Sequence, residues 1–448
     1  MLPVIAAETR VADLVSAARK AGADAADALY VGDASTQVQV RLARLEDVSR
    51  AEGEEIGLRV FVGQRSATVS SSDLSAAALA ALVERAVAMA REAPEDQWAG
   101  LAPAEMLATG ALVAVDGDDG GEASPAELRA QALAAEDAAR AVAGITNSEG
   151  AGASAGRATV ALATSTGFAR GYATSSYGVS ATVIGGEGGA MQRDYAYHSA
   201  RHRADLEDAA DIGRRAGERT VARLNPGKVA SGRMHVVFDP RVGSSMIGHL
   251  IGAITGSAIA RRTSFLLDAE GTQLFAPGIT IRDDPHRPRG PRSRPFDGEG
   301  LATAPSDIIA DGVLTGWLMD SASARQLGRQ PTGHASRGTG GAPGVSTTNI
   351  YLESGALSVD DLLAETGNGL YVTELIGHGV NPVTGDYSRG ASGFLIENGV
   401  ITRPVAEFTI AGNLREMFGA LTPASDLVFR RGVDVPTLRI EGMTVAGA

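Results

Sequence analysis

The spacing of apolar residues switches from helical to strand-like and back within the first 95 residues, and this order constrains the fold more than any other feature. Apolar residues recur at helical spacing between Val11 and Ala18, and they alternate with polar residues over 38–42 and 58–62. Gly63-Gln64 predicts a hairpin turn, and a second helix is predicted from about Leu74 to Arg91. The order of helix, antiparallel strands and helix predicts an α+β, sandwich-like unit.

The rest of the chain divides into segments of different pattern. A helix capped by Ser124, three strand-like runs and a helix that ends at Asn225-Pro226-Gly227 predict a middle domain. Beyond it, one long helix precedes short β-runs separated by glycine turns, which predicts a β-rich domain. The predicted division is an N-terminal α+β domain (1–95), a linker (96–121), a middle domain (122–228) and a C-terminal β-rich domain (229–448).

The long helix of the C-terminal domain is predicted over 239–262 and is rich in small residues. Pro240 marks its start, and Thr263-Ser264 follows its end. Small residues, mostly four positions apart, allow close packing against another element. The sequence leaves open whether that element belongs to the same chain or to a second subunit, and we expect a dimer interface. The small residues concerned are Gly248, Gly252, Ala253, Gly256 and Ala260.

The charge balance restricts the classes of partner. The formal net charge is −13, whereas sequence-independent binding to a phosphate backbone needs a positive footprint, so we expect no nucleic-acid partner. No apolar run approaches the roughly 20 residues that span a bilayer, and Met1 to Ile5 lacks the features of a signal peptide. We therefore expect a cytoplasmic protein without a membrane partner. The absence of cysteine excludes disulfides and thiol chemistry.

Two segments of unusual composition are interpreted as exposed loops. The acidic glycine tract 116–121 lacks the downstream glutamate of an EF-hand, which favours a flexible, solvated loop over a calcium site. The segment 282–300 interleaves arginines with prolines, and proline resists regular structure, which favours a semi-rigid loop. Contact of this basic segment with an acidic surface or a peptide carboxylate is the alternative.

The histidines form no metal-binding pattern. His249 lies on the long helix, and neither Asp239 nor Asp268 is three or four positions from it. An ordinary helix residue, satisfied by a neighbour or by water, is therefore favoured. His198 and His202 are four positions apart, but the tyrosines and arginines around them indicate a strand or loop edge.

The glycine-rich run 377–390 is the predicted contact site for substrate or partner. It is not a P-loop, because Gly-Lys-Ser/Thr is missing. Thr384, Asp386 and Arg389 offer polar and charged groups, and Tyr387 offers a flat surface with one polar tip. No nucleophile–base pair is present in this run. The alternative is structural, with Asp386 and Arg389 pairing to pin a hairpin.

Several separated blocks resemble the TldD/PmbA family. The blocks in the C-terminal half are specific, and the one near the start is loose. They are 248–265, 296–300, 347–351, 384–394, 396–399 and 408–414, together with 55–60. Because the blocks span most of the chain, the resemblance implies the fold and function of this family.

The resemblance also implies a missing zinc site. Active members of the family carry His-Glu-x-x-x-His on the long helix, and alignment on Thr263-Ser264 puts Ile247, Gly248 and Gly252 at those positions. The family's zinc-bearing subunit, TldD, has a further cysteine ligand, and this chain has no cysteine. The resemblance therefore implies the metal-free PmbA branch, also called TldE, with no catalytic, cofactor-binding or metal-binding residue of its own.

The function implied by the resemblance is that of a catalytically silent subunit. It would pair with a zinc-bearing TldD-like chain, as a heterodimer or larger assembly, and help to enclose an unfolded or small peptide. An extended peptide could add to an exposed strand edge, and the chain alone could form a homodimer. Two alternatives stay open: a self-standing hydrolase with a site outside the family pattern, and a regulatory binding protein of a nucleic-acid enzyme, after the family's naming as a modulator of DNA gyrase.

Overall fold

A six-stranded antiparallel sheet occupies the first half of the chain. The structure is a computed structural model that describes residues 1–447. The elements of this half are α1 (Val4–Lys20), β1 (Ala25–Arg41), β2 (Arg44–Val62), β3 (Arg65–Ser71), α2 (Ala76–Glu92), α3 (Pro125–Arg140), β4 (Ile145–Thr164), β5 (Ala169–Gly185), β6 (Gln192–Ala200) and α4 (Ala209–Ala222). The strand order is β3-β2-β1-β4-β5-β6, so that β3 and β6 are the outer strands. The predicted order of helix, antiparallel strands and helix is confirmed, as is the hairpin at 63–64.

Strand pairing joins the first and middle segments into one sheet. Residues 27–40 of β1 pair with residues 151–164 of β4 in antiparallel register. The four helices supply the apolar cover of this sheet: α1 and α2 pack around Leu58, and α3 and α4 around Val183. The two segments therefore share a sheet, and their division into separate domains at 96–121 stays a prediction.

The segment 96–121 is tied to the rest of the molecule by its acidic tract. Asp118 pairs with Arg157 of β4 at 2.6 Å. Asp116 pairs with Arg289, also at 2.6 Å, across to the second half of the chain. The tract is an irregular, partly exposed loop, as predicted, and arginines from two other segments pair with its aspartates; its flexibility stays a prediction.

The C-terminal half is built on a sheet that closes on itself. Its elements are β7 (Gly232–Phe238), α5 (Pro240–Ala253), α6 (Gly256–Ala260), β8 (Ile281–Asp283), β9 (Ser306–Ala310), β10 (Val313–Leu314), α7 (Ser321–Leu327), β11 (Ala335–Ser336), β12 (Gly344–Val345), β13 (Ile350–Leu352), α8 (Val359–Thr366), β14 (Gly369–Ile376), β15 (Asp386–Glu397), β16 (Val400–Asn413), α9 (Leu414–Gly419), β17 (Leu421–Pro423), β18 (Val433–Asp434) and β19 (Leu438–Ala446). The sheet has the order β16-β15-β14-β7-β19-β17, and β16 pairs with β19 as well. A second sheet has the order β10-β9-β8-β13-β18. The predicted α+β class with a β-rich C-terminal domain is confirmed.

The long helix predicted over 239–262 is broken into α5 and α6. Ile254 and Gly256 make backbone hydrogen bonds of 3.0 and 2.7 Å with Leu318, and the side chain of Thr255 caps α6. A continuous helix over this range is wrong, because pairing with a distant segment takes the backbone groups that helical hydrogen bonds would use.

The arginine- and proline-rich segment 282–300 is packed within the fold. Arg282 pairs with Asp307 of β9 at 2.6 Å, and the guanidinium of Arg287 lies 4.6 Å from the ring centre of Phe429. The interpretation of this segment as an exposed loop is wrong, because these two arginines are engaged by the same chain and Pro285 and Pro295 are buried.

A buried ion cluster joins the two halves of the molecule. Asp27 of β1 pairs with Arg59 of β2 and with Arg337, which follows β11. Burial alone would raise the pKa of Asp27, but the two guanidiniums outweigh it and hold the pKa below its ordinary value. Beside this cluster, the backbone of Thr339 lies so close to Gly57 that a Cβ there would come within 2.0 Å of the carbonyl oxygen. The segment between β11 and β12 is therefore seated directly on β2.

No helix within residues 1–447 combines the length and apolar surface needed to cross a bilayer. The longest helices, α1 and α2, have 17 residues each.

Candidate functional site

Helix α5 presents a face made of glycines to the solvent. Its other face is fully buried against the sheet through residues such as Ile247 and Leu250. Gly248 and Gly252 are exposed, and a Cβ atom on either one would meet no heavy atom within 4 Å. The alignment with the zinc motif therefore puts one of its three positions, Ile247, in the core and the other two on the solvent side.

The side chain of His249 in α5 lies next to Tyr387 and Arg389 of β15. The rings of His249 and Tyr387 are 5.9 Å apart and edge-on. The Nε2 atom of His249 and the hydroxyl of Tyr387 are both buried, and neither has a hydrogen-bond partner in the described part of the chain. Burial and the charge of Arg389 lower the pKa of His249, whereas burial raises the pKa of Tyr387. At neutral pH the two side chains are therefore uncharged.

The predicted contact residues of the 377–390 run fall into two groups. The Thr384 hydroxyl donates to Asp386 at 2.6 Å, and Asn413 donates to the Thr384 carbonyl at 2.9 Å, all at the exposed start of β15. Tyr387 is buried against α5, and Arg389 donates to a backbone carbonyl at the end of β14. Asp386 and Arg389 form no ion pair, so the alternative in which these two side chains pair and stabilise a hairpin is wrong. Strand alternation from Asp386 onward turns neighbouring side chains to opposite faces.

A cavity of about 380 Å³ lies at the start of α5, where the two halves meet. It is bounded by β6, α4, α5, β14 and the segment 426–437. One wall is formed by the exposed side chains of Tyr195 and Tyr197, whose stacked rings are 6.1 Å apart. The cavity and the glycine face lie on one helix, roughly 10 Å apart along its axis. The arginines that line the cavity are Arg215, Arg219, Arg241, Arg430 and Arg431.

Sequence reasoning missed this cavity. Its arginines come from α4, α5 and the segment 426–437, and Arg215 and Arg431 are separated by 431 − 215 = 216 positions. No local motif connects residues so far apart. The one sequence signal near the cavity is the pair Tyr195 and Tyr197, which indicates a strand edge but not the arginines beside it.

The histidine pair His198 and His202 serves separate partners. His198 lies in β6, where its Nδ1 accepts from the backbone N–H of Glu207 at 3.1 Å. His202 contacts Asp116 of the acidic tract, with 3.3 Å between ring nitrogen and carboxylate. The structure thus agrees with the predicted strand or loop edge. Across residues 1–447, no three histidine, cysteine or carboxylate side chains are grouped so that they could hold a metal ion.

Three family models match the chain in succession. They describe domain 1, the central domain and the C-terminal domain of the PmbA/TldA metallopeptidases, and they match residues 26–90, 118–224 and 231–447. The matched ranges include both halves of the fold.

Relatives of known name match over most of the chain. The metalloprotease PmbA of Escherichia coli O157:H7 is 38% identical over 426 residues, which are 95% of this chain and 92% of the relative. A PmbA homologue of Haemophilus influenzae is 36% identical and covers 97% of this chain and 94% of its own length. A TldD homologue of the same species is 27% identical over 52% of each chain.

Solved structures share the whole fold. A protein of Bacteroides thetaiotaomicron, described as a proposed modulator of DNA gyrase, aligns with a TM-score of 0.91 at 27% identity, over 98% of this chain and 99% of the other. TldE from Thermococcus kodakarensis aligns with a TM-score of 0.88 at 21% identity, over 98% and 100%. The second likeness shows the fold alone.

Proposed function

The chain belongs to the TldD/PmbA family, and we propose that it is the subunit of a TldD/TldE-type protease that has no zinc site of its own. In this proposal it pairs with a zinc-bearing TldD-like chain and helps to enclose an unfolded or small peptide. Its relatives are named metalloproteases, so the question is which part of that activity this chain supplies.

The side chains on α5 do not fit a zinc ion. A catalytic zinc is held by three protein ligands, and α5 carries one imidazole, His249, and no carboxylate. The Nε2 atom of His249 is buried, and the charged group that shifts its pKa is the cation Arg389. In the part of the chain that the structure describes, the ligand set for a metal is incomplete. We therefore assign hydrolysis to the partner subunit.

The observation that carries the proposal is the open glycine face of α5. At Gly248 and Gly252 no side chain stands between the helix backbone and an approaching element. Backbones can approach closely where both side chains are small. Exposed polar groups of Thr384 and Asp386, held by Asn413 at the start of β15, offer hydrogen bonds to the same partner.

The proposal is tested by reconstitution with a TldD-like subunit from the same organism. Cleavage of an unfolded peptide is measured for each chain alone and for the mixture, together with the zinc content of each chain. We expect cleavage by the mixture to exceed the sum of the separate chains, and this chain to hold no stoichiometric zinc. Peptide cleavage by this chain alone that survives chelation would overturn the proposal in favour of a self-standing hydrolase.

A matched pair of variants tests the glycine face itself. The double variant G248L/G252L fills open space without a clash inside the chain, so it is expected to fold but to lose binding to the partner. The control is G419L in α9, where glycine is also exposed in a helix with no heavy atom within 4 Å of its Cβ position. Equal partner binding by the double variant and the control would exclude the glycine face as the contact surface.

A further inference from the structure

The charges around the cavity at the start of α5 do not balance. Two of its arginines share one carboxylate, since Arg215 and Arg430 both pair with Glu207. Arg241 pairs with the buried Asp194 at 2.8 Å. These three guanidiniums therefore have anionic partners within the chain.

Arg219 and Arg431 have no such partner in the described part of the chain. The guanidinium of Arg219 donates to the backbone carbonyl of Tyr195 at 3.3 Å, and no carboxylate lies within 4.0 Å of it. The guanidinium of Arg431 lies 5.4 Å from the ring centre of Tyr197 and also lacks a carboxylate. Burial and the charge of Arg241 lower the pKa of Arg219, and the charges of Asp239 and Asp194 oppose this shift. Both side chains are only partly buried, so each guanidinium borders the cavity as a cation without an ion pair, and a bound anion would provide that pair.

The three aspartates that line the cavity form no ion pair with Arg219 or Arg431. Asp239 accepts from the backbone N–H and the guanidinium of Arg241 at 2.8 and 3.3 Å. Asp426 accepts from both the backbone N–H and the hydroxyl of Thr437 at 2.8 Å. Asp434 accepts from the backbone N–H groups of Arg430 and Arg431 at 3.0 and 2.9 Å. Their oxygen atoms are thus engaged by groups other than the two unpaired guanidiniums.

The cavity also borders an outer strand of the N-terminal sheet. β6 pairs with β5 on one side and is the last strand of its sheet. Tyr195 and Tyr197 project from it into the cavity wall, 46% and 39% exposed. An outer strand offers backbone hydrogen bonds to an extended peptide whatever its sequence, and the tyrosine rings offer flat apolar surface for its side chains.

We propose that this cavity is a subsite for the free C-terminal carboxylate of a peptide that extends the sheet at β6, with Arg219 and Arg431 as its two cationic groups. Guanidinium groups bind carboxylates with two parallel hydrogen bonds, which gives both affinity and orientation. The peptide ligand rests on the function proposed above, and the subsite adds that ligands with a free C-terminus are preferred. A cleavage product with a newly formed carboxylate belongs to the same class.

The test is direct binding to the full chain in the absence of any partner. Two fluorescently labelled unfolded peptides of one sequence are compared, one with a free C-terminus and one amidated. We expect the free acid to bind about tenfold or more tightly, because hydrogen bonds to a charged group are lost in the amide. R219Q and R431Q are expected to remove this preference, so that the free acid and the amide bind with equal affinity. The control is R193Q, an exposed arginine of β6 that pairs with Glu149 outside the cavity.

Each other outcome overturns the subsite. Equal affinity for the free acid and the amide would show that the chain does not recognise the carboxylate. If R193Q reduced the preference for the free acid as much as R219Q does, the effect would come from the change in net charge alone. Binding of inorganic phosphate to the cavity, together with equal affinity for the acid and the amidated peptide, would show an anion site that does not bind peptide carboxylates. Because the assay needs neither partner nor cleavage, its failure leaves the reconstitution experiment informative, and failure of reconstitution leaves this binding result interpretable.

Discussion

Replacement of Gly248 by alanine is expected to stabilise the isolated chain. Glycine in a helix interior costs about 1 kcal/mol relative to alanine, because its backbone loses more freedom on folding. Gly248 is the ninth of the 14 residues of α5, so the full value applies. A methyl group there would meet no heavy atom within 4 Å, so no steric cost opposes the gain. We expect the free energy of unfolding to rise by about 1 kcal/mol.

Thermal unfolding of the isolated chain measures this gain. For a domain of the size of the C-terminal half, about 1 kcal/mol corresponds to a Tm increase of roughly 2–4 °C. The control is G256A in α6, where the new methyl group would lie 2.4 Å from the Ser323 hydroxyl oxygen and is expected to lower Tm. An unchanged or lower Tm for G248A would refute the open glycine face, and with it the surface on which partner binding is proposed.

Three further predictions concern metal, loop and pH. Elemental analysis of the purified chain is expected to show no stoichiometric transition metal, and about one zinc per chain would contradict the assignment of hydrolysis to a partner. D386A is expected to weaken partner or peptide binding with little change in Tm, because Asp386 is exposed. R389A removes a side chain beside His249 and is expected to lower binding and to change Tm as well. Unchanged binding in both variants would exclude the loop from the contact. The lowered pKa of His249 means that its contribution to stability is fully present above the unfolded pKa of about 6.5 and is lost as the pH falls through the lower folded pKa. H249Q is therefore expected to lose less stability than the parent chain below about pH 6.5 in denaturant titrations, and parallel pH profiles would contradict this.

The local architecture was readable in the sequence because local interactions decide it. Apolar periodicity identified the helix and strands before residue 72, and the hairpin at 63–64 followed from its glycine. Errors arose where a distant partner decides the structure. The break after α5 depends on Leu318, more than 60 positions away, and the missed ion pair of the acidic tract depends on Arg289, which lies 173 positions after Asp116.

The candidate site was predictable in part. The sequence singled out the helix that carries Gly248 and the loop that carries Tyr387, and the structure brings these two elements into contact through His249. The arginine-lined cavity could not be predicted, since Arg219 and Arg431 meet only when the N-terminal sheet is seated on the C-terminal half. Charge compensation is a property of that tertiary arrangement and leaves no local pattern.

The ion cluster around Asp27 can be completed only late in the synthesis of the chain. Arg337 is 310 positions after Asp27, and ribosomes add about 5–20 residues per second, so roughly 15–60 s separate their synthesis. During that interval the N-terminal sheet can pair Asp27 with Arg59, but β2 around Gly57 lacks the segment that finally covers it. A chain truncated before residue 337 is therefore expected to expose this surface of β2 to chaperones and quality-control proteases.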